Sequence, residues 1–381
     1  MLNVSFLAKH QQNLPYIQIP LIMAQPNKHD EGDIDRARRI INSYQKSKLE
    51  TDKQNKDTDF WDKIKYDVFS GIIDVFSTKN PEKSLIELFI SYGKNYTPFG
   101  GFTLGRDGFT PIGMTAGQIS HVYFDHILNL AVFLGILPIE TPEAPGVSWG
   151  RNIHLDHNSV IEQIESKIGF PISPEKLVSP TLGIQSKNGP VHYRHVNALY
   201  AALRIRELTD SDSAVVEIGG GLGLVAYYLR KLGYKDITLV DMPLANVFSG
   251  NFLIGQFGSD VVCLDGDDWE EGKIRIVSDN RFLQNEEGKI YDIAVNQDSF
   301  TEIDRRIVNK YIDLISKTTR KFFFSINHEA PENKSVSLEE KVYVTVKQSI
   351  LDYGHCYRKI YRQPYWIRQG YVEELWAVES G

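Results

Sequence analysis

From Asp33 onward apolar residues recur at helical spacing, with Ile34, Ala37, Ile40, Ile41 and Tyr44 on one face. A second stripe takes in Phe60, Ile64, Val68, Ile72, Ile73 and Phe76. A third takes in Leu85, Leu88, Phe89 and Tyr92, after Pro81 at a helix start. Residues 1–26 carry little pattern, and the charged run from Lys46 to Asp59 reads as solvated. A helix is predicted over 115–137. The apolar run from Ile127 to Ile139 is interrupted by Asn129 and too short to cross a bilayer, so it reads as a buried helix. Between these elements, residues 93–113 carry Gly93, Gly100, Gly101, Gly105, Gly108 and Gly113 around Arg106 and Asp107. Tyr96, Phe99, Phe102 and Phe109 would pin such a loop, over a ligand or on the surface. After a stretch rich in Pro and Gly at 138–158, short helices are predicted near 159–168 and after Ser173-Pro174-Glu175. A longer one covers 192–208.

From residue 213 the pattern changes to strands alternating with helices. Val215, Val216 and Ile218 read as a strand buried on both faces, and Leu224, Val225, Tyr228, Leu229 and Leu232 as the inner face of the following helix. Further strands are predicted at 237–240, 292–295 and 322–326, with candidates at 261–264 and 274–277 and a last one at 371–378. Such alternation predicts a mainly parallel sheet.

The turn between the first strand and helix of this series carries the most chemistry. Gly219, Gly220, Gly221 and Gly223 remove side chains where backbone N–H groups face a ligand. The second strand ends in Asp241, 22 positions after Gly219, where an acid grips a ribose diol in nucleotide folds. Gly221 to Ala226 also satisfies the G-x-G-x-x-A fingerprint of NAD or FAD sites. Glu217, two residues before the first glycine, tips the balance. A carboxylate there repels a pyrophosphate and attracts the ammonium of S-adenosylmethionine (SAM).

The remaining candidates lie at the carboxyl ends of the strands, where open parallel sheets bind ligands. Met242 follows Asp241; Asn296, Gln297, Asp298 and Glu302 follow the fourth strand; His328 and Glu329 follow the fifth. The adenine contact belongs to the third strand, which makes it Asp265 if that strand is 261–264, and Ser278 or Asp279 if it is 274–277. A proton must leave an attacked hydroxyl, and histidine is the side chain best suited to take it near pH 7. His328, beside Glu329, is the first choice; His192 and His195 are the second. The spacings His154/His157 and His192/His195 resemble metal-ligand pairs but lack further ligands nearby, so no metal site is assigned. An ion on Asp265, Asp267 or Asp298 stays open, while the run from Asp267 to Glu271 reads as a solvated turn.

Bulk properties narrow the classes. With 381 residues the chain can form two lobes, and a net charge of −7 lacks the basic footprint of a general nucleic-acid binder. Two cysteines, Cys263 and Cys356, indicate neither a disulfide framework nor a thiolate zinc site, which suits a reducing cytoplasm. The first residues lack the basic start and apolar run of a secretory signal, and no membrane span is expected.

Taken together, Val216-Glu217-Ile218-Gly219-Gly220-Gly221-Leu222-Gly223, Val240-Asp241-Met242-Pro243, Asn251-Phe252-Leu253 and Asn296 to Ile303 resemble the sugar O-methyltransferases of the class I SAM-dependent fold. The resemblance covers roughly 190–330, with Met242 and Ile303 as mild departures. It implies a Rossmann-like α/β domain with a seven-stranded sheet at 190–381, preceded by a mainly helical acceptor-covering region at 1–189. It further implies methyl transfer from SAM to a hydroxyl of a sugar or nucleotide sugar, and leaves self-association open. Two other readings are kept: an NAD-dependent oxidoreductase, and a SAM-fold binding subunit without catalysis.

Overall fold

The computed structural model describes residues 19–26, 32–54, 70–94, 101–105, 115–141, 150–285, 288–329, 345–353 and 356–379. Two compact units divide the chain. One comprises residues 1–28, 89–203 and 366–369, the other 29–88, 204–365 and 370–381. The division is therefore not a single cut near residue 190: the first helical stripe belongs with the sheet that follows residue 213.

In the first unit, β1 (Leu21–Ala24), β2 (Thr181–Ser186) and β3 (Gly189–Val191) form an antiparallel sheet in that order. The helices Ala116–Phe133 and His157–Ile168 pack with it. Thr115 caps the first with a reciprocal pair of bonds to Gln118, and Asp156 caps the second through the Ser159 N–H. The helix predicted over 115–137 stops at Phe133. No helix follows Ser173-Pro174-Glu175; Pro171, Pro174 and Pro180 deny a regular ladder there, and the chain leads instead into β2. Of the glycine-rich loop, Gly100, Arg106, Asp107, Gly108, Gly113, Tyr96, Phe99 and Phe109 lie outside the described residues. Phe102 and Leu104 are buried, and Gly105 lies directly on the backbone of Gly93.

The second unit is built on eight strands: β4 (Val215–Ile218), β5 (Ile237–Asp241), β6 (Val262–Cys263), β7 (Ile274–Ser278), β8 (Tyr291–Gln297), β9 (Thr319–His328), β10 (Tyr357–Pro364) and β11 (Tyr371–Val378). Their order is β10-β11-β9-β8-β4-β5-β7-β6. Pairs from β6 to β9 are parallel, whereas β11 runs antiparallel to both β9 and β10. This is the expected α/β class, with eight strands in place of the expected seven and the two-residue β6 at one edge. Val216, Ile218, Ala294, Phe323 and Trp376 supply the core on one face, against Ile312 and Ile315 of the helix Arg305–Thr318. The sheet grows from β4 through β5 to β7 on one side, then returns to β8 on the other. That reversal between β4 and β8 is the topological switch point, where such sheets open a crevice at their carboxyl ends.

The helix Gly32–Gln54 packs on the helix Pro243–Phe257 in this unit. Its stripe buries Ala37, Ile40, Ile41 and Tyr44, while Ile34 is exposed. Arg39 donates to the carbonyls of Ser259 and Val262, and the Ser47 hydroxyl to Asp265 Oδ2 at 2.9 Å. Phe60, Ile64 and Val68 of the second stripe lie outside the described residues.

Candidate functional site

The glycine turn leaves β4 at the switch point. Gly219 has φ +72°, and a Cβ there would stand 2.0 Å from Ser299 Oγ, so both conformation and space exclude a side chain. Gly223, at φ +85°, begins the helix Leu224–Lys231. The Gly221 N–H donates to Asp241 Oδ2 at 2.7 Å, and the Met242 N–H to Asp241 Oδ1 at 2.7 Å. Asp241 thus joins the end of β5 to the glycine turn.

Glu217 lies beneath the turn, 3% exposed, and its Oε2 accepts from the Ala226 N–H at 3.2 Å. Burial pushes its carboxyl up to about 8, opposed by that hydrogen bond and aided by the Asp241 charge. Burial likewise raises Asp241 to about 6 against its two backbone hydrogen bonds. The sequence argument placed a fixed negative charge at Glu217; the buried carboxyl instead keeps its proton at neutral pH.

The third-strand ambiguity is resolved by pairing. β7 is the neighbour of β5, which places Ser278 and Asp279 at the third strand's end. Asp265 lies behind them, accepting from the Ser278 N–H at 3.1 Å and from Arg281 at 2.7 Å. Its carboxyl is lowered because these hydrogen bonds, with that of Ser47, outweigh the opposing effect of burial. The Asp279 carboxylate accepts from the Asn280 N–H.

At the end of β8, Asn296 is fully buried and acts as a clamp. Its Nδ2 donates to the Ile218 carbonyl at 2.8 Å and to Ser299 Oγ at 2.5 Å; its Oδ1 accepts from the Phe300 N–H and from Asn327 Nδ2. The amide predicted to touch cofactor is thus engaged by protein on both sides. Gln297 is half-buried on the same strand end. Asp298 follows in the left-handed region, at φ +59°, with its N–H bonded to the Ile326 carbonyl at 2.8 Å. Its Oδ1 accepts from the Tyr371 hydroxyl at 2.7 Å. Tyr371 also stands edge-on to the His328 ring, 5.8 Å between centroids.

Asp298, Glu302 and His328 come together: one donor atom from each lies within 4.8 Å of the others. Among the described residues this is the one group of three such side chains arranged to hold a metal ion. His154, His157, His192 and His195 are not in it.

Glu329 goes elsewhere. It pairs with Arg362, which also donates to Glu374 at 2.8 Å, and so serves an ion-pair network on the antiparallel edge of the sheet. Glu329, expected among the catalytic candidates, is therefore engaged by Arg362.

His192 and His195 belong to the first unit and are fully buried there. The Arg194 N–H donates to His192 Nδ1 at 3.1 Å, which puts the imidazole proton on Nε2, 3.0 Å from the Tyr123 hydroxyl. The His192 N–H faces His195 Nδ1 at 3.3 Å. Burial holds His195 down to about 3 and nearby His126 to about 4, and pushes His192 well below its usual value. These neutral imidazoles close a polar cluster in a core, and a fully enclosed ring is poorly placed to exchange a proton with an acceptor.

Sequence reasoning found the strand ends and missed Tyr371. Its hydroxyl reaches Asp298 from a strand 73 positions later, and only the antiparallel insertion of β11 beside β9 brings it there.

No protein-family model matches the sequence, and no curated protein matches it. Among solved structures, magnesium protoporphyrin IX methyltransferase from Synechocystis PCC 6803 with bound S-adenosylhomocysteine (SAH) is similar at 13% identity and TM-score 0.35, covering 48% of this chain and 82% of that one. A protein from Pyrococcus horikoshii OT3 is similar at 10% identity and TM-score 0.37, covering 49% and 90%. An O-methyltransferase family protein from Burkholderia thailandensis follows at 13%, TM-score 0.33, covering 50% and 60%. Likeness at this level identifies neither a substrate nor a catalytic residue, and the site stands on its own geometry.

Proposed function

We propose that this chain is a SAM-dependent methyltransferase that methylates a hydroxyl of a sugar or sugar nucleotide. The observation that carries the reading is the joining of Asp241 to the Gly221 N–H at the switch point, directly above the buried Glu217. That corner offers backbone N–H groups, an acid for the ribose diol and a carboxyl for the ammonium of the methionyl part. Asp298 and Glu302 stand on the turn that Asn296 ties to the end of β4, and His328 stands at the end of β9. They are the polar groups beside which the acceptor hydroxyl would lie. Transfer then needs the hydroxyl oxygen in line with the S–CH3 bond, which positioning alone can favour by several kcal/mol. The sugar is supported by the resemblance of residues 216–223, 240–243 and 296–303 to sugar O-methyltransferases.

Calorimetric titration of SAM, SAH and NAD into the full chain, with Asp241→Ala beside it, tests the reading. SAM and SAH bind, and Asp241→Ala weakens both at least about tenfold, the loss of roughly one charge-assisted hydrogen bond. Binding of NAD without SAM would return the chain to the dinucleotide fold. Because Glu217 holds its proton up to about 8, an ammonium seated on it expels that proton. SAM affinity therefore rises with pH through the neutral range, and buffers of different ionisation enthalpy report proton release. Acceptors are then screened among sugar nucleotides.

A further inference from the structure

We propose that Asp298, Glu302 and His328 bind a divalent cation that takes the acceptor hydroxyl as a further ligand. The inference rests on the methyltransferase reading for its chemistry, but not for the site. Two carboxylates and one imidazole, each offering one donor atom within 4.8 Å of the others, make a three-point set on one side of an ion. Hard oxygens and one nitrogen suit an ion of the Mn2+ kind, leaving its other positions to water or substrate.

The surroundings of the group support an ion more than a lone base. Tyr371 donates to Asp298 Oδ1 at 2.7 Å, which fixes the carboxylate plane, as outer partners of metal ligands do. Beneath the same turn, Asn327 is buried. The Asn327 amide is bonded to Asn296, which holds Ser299 and Phe300 of the turn carrying Asp298 and Glu302. Asp298 is aimed by its left-handed backbone, and Glu302 follows one short turn later.

An ion here replaces the general base. Coordination lowers the pKa of a bound hydroxyl, whose proton passes to water. The freed oxygen pair then forms the C–O bond as the S–CH3 bond breaks. The pair of that bond returns to sulfur, so the sulfonium becomes the neutral thioether of SAH.

The test titrates Mn2+ alone into the full chain, with and without SAH, followed by electron paramagnetic resonance and calorimetry. Asp298→Asn, Glu302→Gln and His328→Gln are compared with Tyr371→Phe and with Asp267→Asn as an acidic control outside the group. One Mn2+ binds per chain; each ligand variant loses at least about tenfold in affinity and Tyr371→Phe about tenfold. Asp267→Asn changes nothing. Circular dichroism and retained SAH binding show that the variants are folded. No stoichiometric Mn2+ binding to protein that binds SAH overturns the ion and leaves the methyltransferase reading standing, as does Mn2+ binding that none of the three ligand variants weakens. Mn2+ binding without SAH binding upholds the ion and overturns that reading.

Discussion

The two units bury opposite kinds of titratable group. The first encloses His126, His192 and His195, all held neutral because burial disfavours their charged form. The second holds the buried Glu217, whose carboxyl keeps its proton at neutral pH, and the half-buried Asp241, raised for the same reason but only to about 6. The signs of the resulting pH dependence are opposite. A histidine with a depressed folded value costs stability as pH falls below about 6.5, since the unfolded chain gains the proton. A carboxyl with a raised folded value costs stability as pH rises above its usual range, since the unfolded chain loses the proton. Burial alone does not say which region is a site. The imidazoles are enclosed within a core, whereas the carboxyls lie at the switch point of a parallel sheet, under a turn stripped of side chains.

The largest test of this contrast is Glu217→Gln. Gln keeps the acceptor for the Ala226 N–H and removes the ionisable group, so the ligand-free protein gains up to about 3 kcal/mol at pH 7. The gain shrinks to nothing near pH 4.5, as urea unfolding at several pH values reports; a gain equal at pH 4.5 and 7 would break the comparison. In the first unit, His195→Phe is expected to stabilise by about 2 kcal/mol at pH 5 relative to its effect at pH 8, flattening the acid limb. A pH-independent effect would mean that the ring is not the source. The smallest effect belongs to a position with no part in the contrast. Asp156→Ala removes the cap on the Ser159 N–H and costs about 1 kcal/mol, by thermal unfolding near neutral pH.

Much of the second unit was legible because its strands are short apolar runs ended by glycine or acid. The strand–turn–helix at 215–231, the helix opening at Pro243 and the last strand all declare themselves locally, though not the last strand's antiparallel direction. What was not legible depends on distant partners. Val261 to Leu264 reads as well as a strand as Ile274 to Val277 does, and only pairing with β5 shows which is central. The strand β2 contains Gly183, packed where a Cβ would meet Val191 backbone at 2.7 Å, and carries no alternation to give it away. At the site, Asp298 and His328 can be picked as strand-end residues, but the ion pair that engages Glu329 cannot be read locally. Arg362, 33 positions on, neutralises it.

The helix Gly32–Gln54 has a consequence for how the chain is made. Its apolar stripe is made well before the surface it covers, which includes Gly250, whose backbone lies against Ile40. At bacterial and eukaryotic elongation rates of about 5–20 residues per second, that partner follows roughly 10–40 seconds later. Through that interval the stripe lacks the surface that buries it. Ribosome-bound chains halted before residue 243 would therefore expose an apolar stripe that is covered once the helix Pro243–Phe257 is complete.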